Sequence, residues 1–490
     1  MSERDSSKLP LSVKAVYGTG QFVDTVSNTA INTFLLFYLN AVCGLSGALA
    51  GASLAIALVV DAFVDPLIGS ISDNTRSRFG RRHPFMIGGL ALIFFGLGLL
   101  FSIPSGVTGI PLFAYATLVS LMLRLGQSAF IVPYIALGAE LSDDYIERSS
   151  VVGWRTFYSV FATLLPLIVG YKIFLKDAHI YERAAFVPFA WTCAAVMTAL
   201  AALATFGTLG TLKRLHVGQQ GADHPLRRLF AEVVEVFRNP SFRLLFSSVL
   251  IFWVAQGTAA ALGLHGSKFF WKLDTGAIFS TALSLLAGVM AGLPLVSFAG
   301  TRMEKRAMVI WSLVYIVITQ AGLPIAHIVG VLPQSSVIEA LTINNFFAGI
   351  AISFLTVGFL SMMADAADEH ELLFGARREG VYFAGLSFST KAASGLGTAI
   401  SGVTLDLIHF PADLAAKGGD AAHIAPSVVA NLGLAYGIVP GALTFACIVI
   451  CSFYRIDRKT HADIQAQLTQ RRAQAPAELS ANQAIPETSL

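Results

Sequence analysis

Asp61 and Asp65 stand four residues apart in Asp61-Ala-Phe-Val-Asp65-Pro66, directly after the uncharged run Ala50 to Val60. Helical pitch places both carboxylates on one face. An acid inside hydrocarbon costs about 2.5–3.5 kcal/mol on insertion scales, so it needs a partner or a task. Two carboxylates on one face suit a monovalent cation or a shared proton, because both cannot ionise cheaply side by side. The plainer reading makes them counter-ions of buried basic groups. Lys391, in the apolar setting Ser387-Phe-Ser-Thr-Lys391-Ala-Ala-Ser394, is such a group, and its ammonium requires an anion. Arg124, Ser128 and Ile131 follow at i, i+4 and i+7, a second shared face in another apolar stretch.

The elements that position these residues are membrane spans. The chain has 490 residues, 55% hydrophobic and 13% charged. Soluble domains carry roughly 25% charged residues. Hydropathy predicts twelve spans, with cores near 16–42, 45–71, 85–103, 110–139, 150–174, 185–210, 241–265, 277–298, 307–329, 337–362, 381–408 and 428–454. The segment 211–240 divides them six and six, into bundles 1–210 and 241–454. Within it, Leu226 to Arg238 has the spacing of an amphipathic surface helix. Residues 455–490 form a polar tail, Gln/Ala-rich after about 460, expected to be disordered.

Lys and Arg fall in alternate loops. Arg76, Arg78, Arg81 and Arg82 follow span 2, Arg302, Lys305 and Arg306 follow span 8, and Arg377 and Arg378 follow span 10. Loops 1–2, 3–4 and 9–10 have neither residue type. The bias predicts that both termini are cytoplasmic, in a multi-pass protein of the cell (inner) membrane. A net charge of +3 is too small to point to nucleic acid. Cys43, Cys193, Cys447 and Cys451 lie in apolar runs without metal-ligand spacing. The chain has no Gly-x-x-x-x-Gly-Lys loop for a nucleotide, and no cofactor is expected.

Several motifs occur in order: Tyr17-Gly-Thr-Gly20, Asp61-x-x-x-Asp65-Pro66-x-x-Gly69, Asp73-x-Thr75-Arg-Ser-Arg78-x-Gly80-Arg-Arg82-x-Pro84, Pro133-Tyr134 with Glu140-Leu141, and Arg377-Arg-Glu-Gly380. Together they resemble the glycoside–pentoside–hexuronide:cation symporters, the melibiose permease family of the major facilitator superfamily. The resemblance implies an all-α membrane protein with the major facilitator fold, twelve helices in two six-helix bundles. It also implies import of a sugar, glycoside or uronide coupled to Na⁺, Li⁺ or H⁺ by alternating access.

The resemblance assigns cation coupling to Asp61 and Asp65, a completing hydroxyl to Ser128, and a place near both sites to Lys391. Where sodium-using members have an oxygen between the two acids, this chain has Val64. That substitution favours H⁺, with Na⁺ at Asp61 and Asp65 kept as the other possibility. Arg155 matches a cavity arginine, able to give two hydrogen bonds to hydroxyls or a carboxylate. Asp24 stands one position before the family's sugar-binding acid, where Thr25 is found, and a one-residue shift turns a helical side chain by about 100°. Ile131 replaces the second sugar-binding acid. Ser387, one turn before Lys391, is placed to meet a substrate hydroxyl. Arg124 suits either an anionic substrate or an ion pair with Asp24 or Asp61.

The charges around loops 2–3 and 10–11 read as a gate: Asp73, Arg76, Arg78, Arg81, Arg82, Glu140, Arg377 and Arg378, with Asp365, Asp368, Glu369, Glu371 and Glu379. They are expected to pair across the halves in one state and part in the other. Two further readings stay open. A major facilitator relative could carry a lipid or other amphiphile. A prenyltransferase-like enzyme could use Asp-x-x-x-Asp to hold Mg²⁺, but it needs a second Asp-rich motif, and the sixth span, Trp191 to Gly210, has no acid.

Overall fold

The computed structural model describes residues 9–142, 144–210, 234–375, 379–412, 414 and 424–483, without the side chains at 62, 145, 379–380, 383–384, 387, 394 and 472–483. Twelve long helical segments match the twelve expected spans. α1 covers 11–42, α2 Gly47–Asn74, α3 His83–Leu100, α4 Gly109–Glu140, α5 Tyr145–Ile168 and α6 Arg183–Gly207. α7 is Pro240–His265, α8 Thr275–Arg302, α9 Lys305–Ile328, α10 Val337–Phe374, α11 Glu379–Leu407 and α12 Pro426–Ser452. Among the described residues, ten helices are long and apolar enough to cross a membrane. The other two are α1, divided by 3₁₀ turns at Thr19–Gln21 and π turns at Ile31–Leu35 and Tyr38–Val42, and the more polar α11.

Local chemistry sets the helix starts. Ser46 caps α2 and Asp144 caps α5 through the N–H of Glu147. The Asn239 side-chain Oδ1 accepts from the N–H groups of Ser241 and Phe242, with Pro240 at the first position of α7. Asp274 accepts from Ala277 at the start of α8. Gly375, at φ 75°, ends α10 in the left-handed region. α10 has 38 residues. At a rise of about 1.5 Å each it outruns a hydrocarbon core of about 30 Å. Asp365, Asp368, Glu369 and Glu371 therefore sit on its last turns, not in the following loop as their sequence positions suggested.

Two features depart from the sequence expectations. A thirteenth helix, α13 (Arg458–Gln483), occupies much of the tail expected to be disordered. Its buried Ile464 and Leu468 lie four apart and pack into the second half's core, while Gln465 donates to Asp368 at 2.7 Å. Its composition is polar, but that one apolar stripe suffices to dock it. Of the expected amphipathic segment Leu226 to Arg238, residues up to 233 lie outside the described residues; Val236, in its described end, is buried.

The halves meet chiefly where α2 packs on α11 and α1 packs on α7. One apolar core runs through the first half and continues into the second around Phe269, Trp271 and Phe410. A separate core lies within the second half, around Phe252, Phe359 and Tyr454. The joined side is the one with few basic residues. There the Asp406 carboxylate of α11 accepts from the N–H groups of Gly47 (2.7 Å) and Ala48 (2.8 Å), capping α2 from the opposite half. Gly47 and Gly402 pack so closely that neither has room for a β-carbon. His265 Nε2 and Asn40 Oδ1, both fully buried, meet at 3.3 Å between α7 and α1.

Losing an N-cap costs about 0.5–2 kcal/mol. Asp406→Ala is thus expected to favour opening on this side by about two- to thirtyfold. The rate at which an impermeant maleimide labels Leu58→Cys, placed where α2 packs on α11, measures the shift. Unchanged labelling would show that the cap adds nothing to closure.

Candidate functional site

Between the halves lies a cavity of about 550 Å³, within the ~300–1,000 Å³ of small-molecule sites. The first half lines it with Gln21, Asp24, Asn28, Asn32, Asp61, Arg124, Gln127, Ser128, Ile131, Ile135 and Arg155. The second half contributes Trp253, Gln256, Gly257, Ala260, Thr390 and Lys391.

Asp61 on α2 is buried and accepts a 2.7 Å hydrogen bond from the Ser128 hydroxyl of α4. Lys391 of α11 pairs directly with Asp65 Oδ2, and its Nζ lies 4.0 Å from Asp61 Oδ2. Among the described residues this ion pair joins the two halves. The other Asp65 oxygen, Oδ1, is buried without a partner. Pro66 adds to the polarity of this turn, because it has no N–H for the carbonyl of residue 62. One lysine, two carboxylates and a hydroxyl thus converge from three helices. The cluster is anionic, two carboxylates to one ammonium.

A second group hangs on α1. Arg155 of α5 gives two hydrogen bonds, from Nε (3.2 Å) and Nη2 (3.1 Å), to the Gln21 side-chain Oε1. Its guanidinium lies 5.4 Å from the Tyr134 ring centre, and Tyr134 stacks on Tyr17. Gln21 Nε2 donates to Asp24 at 3.3 Å, and Asn28 Nδ2 donates to Asp24 at 2.8 Å. Arg124 Nη1 donates to Asn28 at 3.4 Å. Asp24 therefore reaches the cavity despite its one-residue offset. Arg124 connects to it through an amide and makes no ion pair with Asp24 or Asp61. Arg124, Ser128 and Ile131 all face the cavity, as their spacing predicts.

The expected gate residues form two clusters, one in each half. Arg82 pairs with Asp73, donates to Ser72, and meets Glu140 Oε1 from Nη2 at 2.8 Å; Arg81 meets the same oxygen at 2.9 Å. In the second half Lys305 pairs with Asp365 at 2.8 Å, and His461 lies 3.3 Å from Asp368. Arg76 and Arg78 are exposed. Among the described residues no ion pair links the two clusters. Arg377, Arg378 and the side chain of Ser387 lie outside the described residues.

Sequence reasoning passed over the amides. Gln21, Asn28 and Asn32 share one face of α1 with the expected Asp24 and were visible as a polar stripe in an apolar span. Gln127, Trp253 and Gln256 carried no comparable signal, since isolated neutral polar and aromatic residues also serve ordinary helix packing.

Residues 16–458 match the family model described as MFS/sugar transport protein. The isoprimeverose transporter of Lactiplantibacillus pentosus is 24% identical, with 95% of this chain and 93% of that one covered. The sphingosine-1-phosphate transporter MFSD2B of Xenopus tropicalis is also 24% identical, over 94% of this chain and 91% of its own. The crystal structure of the nucleoside transporter NupG aligns at a TM-score of 0.60 and 14% identity, covering 90% of this chain and 99% of that one. The last likeness concerns the fold alone.

Proposed function

The chain belongs to the MFS/sugar transport protein family, and on that footing we propose that it imports a sugar, glycoside or uronide together with a monovalent cation, H⁺ in preference to Na⁺. The fold is that of the major facilitator superfamily, and the chain is a multi-pass membrane transporter, not an enzyme. The observation that carries the proposal is the contact of Lys391 with Asp65 and Asp61 beside a cavity walled by amides and charges. In this account Asp61 and Asp65 take the cation, with Ser128 and Lys391 tuning them. Asp24, Arg124 and Arg155 hold the substrate, and Ser387 stays a candidate from its sequence position. The loop clusters, with Arg377 and Arg378, gate the cytoplasmic side of the inner membrane, where both termini lie.

The geometry supports the following cycle. With Lys391 on Asp65, the two carboxylates and one ammonium leave one negative charge for a cation to neutralise. Protonating a carboxylate loosens its grip on the ammonium and frees the two halves to rearrange. The halves are joined on the side poor in basic residues, and the gate clusters are each self-contained. This corresponds to a cytoplasm-facing state if Lys and Arg mark the inside. A substrate that binds one state better than the other then shifts their populations.

The preference for H⁺ rests on ligand count. Asp61, Asp65 and Ser128 supply side-chain oxygens, Val64 supplies none, and an ammonium already sits on Asp65. A sodium ion would lack several of the oxygens it seeks, whereas a proton needs one. In proteoliposomes, an imposed proton gradient is expected to drive glycoside uptake while a Na⁺ gradient at constant pH does not. A strict Na⁺ requirement would overturn this preference.

The amphiphile reading takes its support from the likeness to MFSD2B. The cavity argues against it. Apolar atoms supply more of its exposed lining than polar ones, through such residues as Ile131, Ile135, Trp253 and Ala260, but most of the lining residues are amides, hydroxyls or charged groups. An acyl chain placed there would strand those polar groups.

A further inference from the structure

Two motifs that stand out in the sequence, Tyr17-Gly-Thr-Gly20 and Pro133-Tyr134, lock together in the first half. Tyr17 Oη donates to the Tyr134 carbonyl at 2.9 Å, and Tyr134 Oη donates to the Tyr17 carbonyl at 3.0 Å. The rings stack with centres 4.5 Å apart. Both side chains are fully buried. Their close approach accounts for two glycines. A β-carbon on Gly20 would strike the Tyr134 ring, and one on Gly138 would strike the Tyr17 hydroxyl. Thr19 Oγ1 donates to the Leu200 carbonyl of α6 at 2.9 Å. The 3₁₀ turn Thr19–Gln21 is therefore pinned against both α4 and α6.

Two cavity-lining residues, Gln21 and Arg155, rest on this clasp. Gln21 ends the pinned turn, and the Arg155 guanidinium lies over the Tyr134 ring while Nε and Nη2 both donate to Gln21 Oε1. From there charges and amides alternate along the wall: Arg155, Gln21, Asp24, Asn28, Arg124. An amide stands between each arginine and the acid, and among the described residues neither arginine ion-pairs with Asp24. We propose that Tyr17 and Tyr134 are positioning residues for transport: their clasp holds Arg155 on Gln21 and off Asp24, so that arginine and acid both stay available in the cavity. A guanidinium released from the ring would be drawn to the carboxylate that Gln21 also holds, and each charge would then silence the other. A planar fork also binds well only from a fixed plane, which the ring and the amide supply from two sides. The role rests on the symport reading, in taking the cavity as the transport site, and goes beyond it by naming two buried residues that act through Arg155.

The test starts without substrate. The full chain in lipid nanodiscs is treated with the arginine reagent phenylglyoxal, and modification of Arg155 and of Arg124 is followed by peptide mass spectrometry. Tyr134→Leu is expected to speed modification of Arg155 about tenfold and to leave Arg124 unchanged. Tyr134→Phe and Tyr17→Phe each remove one hydroxyl and keep the ring, and are expected to speed it about two- to tenfold. They carry the test if Tyr134→Leu does not fold. In equilibrium binding of methyl β-D-glucuronide, Tyr134→Leu and Arg155→Lys are each expected to weaken the complex about tenfold. The double variant is expected to bind no more weakly than Arg155→Lys alone, because the clasp acts through that arginine. Equal acceleration at both arginines, no acceleration at either, or additive losses in the double variant would each overturn the positioning role. If neither the glucuronide nor methyl β-D-glucopyranoside binds the unaltered chain, the sugar reading falls, and the two arginine rates still decide the clasp.

Discussion

Asp61→Asn is expected to leave a protein that exchanges substrate across the membrane but cannot concentrate it. One charge moving through 100 mV gains about 2.3 kcal/mol, equivalent to about fiftyfold accumulation. An amide at 61 accepts the Ser128 hydroxyl as the carboxylate does, but it has no charge for the travelling cation to neutralise. Accumulation should therefore fall to the equilibrium ratio of one while counterflow persists. Asp65→Asn should have the same outcome by a different route, since it also strips Lys391 of its ion-pair partner. Radiolabelled uptake and counterflow in proteoliposomes separate the two activities. Full concentrative uptake by both variants would remove the coupling role from this pair.

The second large effect concerns Arg124. Its bond to Asn28, which in turn holds Asp24, leaves the rest of the guanidinium on the cavity wall. If Arg124 grips an anionic sugar, Arg124→Gln should raise the apparent KM for a glucuronide and spare a neutral glycoside. A charge-assisted hydrogen bond is worth about 1.5–3 kcal/mol, so the rise should be tenfold or more. A counter-ion role predicts a different pattern: failure with every substrate, and partial recovery when Asp24→Asn is added. Competition uptake with paired neutral and acidic glycosides distinguishes them. The absence of a direct ion pair to Asp24 or Asp61 favours the first outcome.

The charged part of the site was legible in the sequence for a physical reason. Ionised side chains are rare in apolar spans, so Asp61, Asp65, Lys391 and Arg124 stand out individually, and helical spacing groups them with Ser128 and Ile131. Hydropathy likewise pointed to twelve helical stretches, and ten of the described helices are long and apolar enough to cross a membrane; α1 and α11 fall short through irregular turns or polar residues. Neutral amides are cheaper inside a bundle and carry no such signal, which is why Gln127 and Gln256 emerged only as lining residues of the cavity. The docked α13 escaped because two apolar residues, Ile464 and Leu468, hold a helix whose composition is otherwise that of a solvated tail. Gate pairings were beyond reach for a further reason: which charges meet depends on the state of the transporter, and Arg82 here bonds within its own half.

Central to the account is that substrate and proton enter together through Asp61 and Asp65. The most direct measurement follows external pH when a pyranoside is added to lightly buffered, de-energised proteoliposomes. Substrate-dependent alkalinisation of the medium is predicted, abolished by a protonophore and absent from the Asp61→Asn variant. Pyranoside entry without proton movement, or the same alkalinisation with Asp61→Asn, would contradict it.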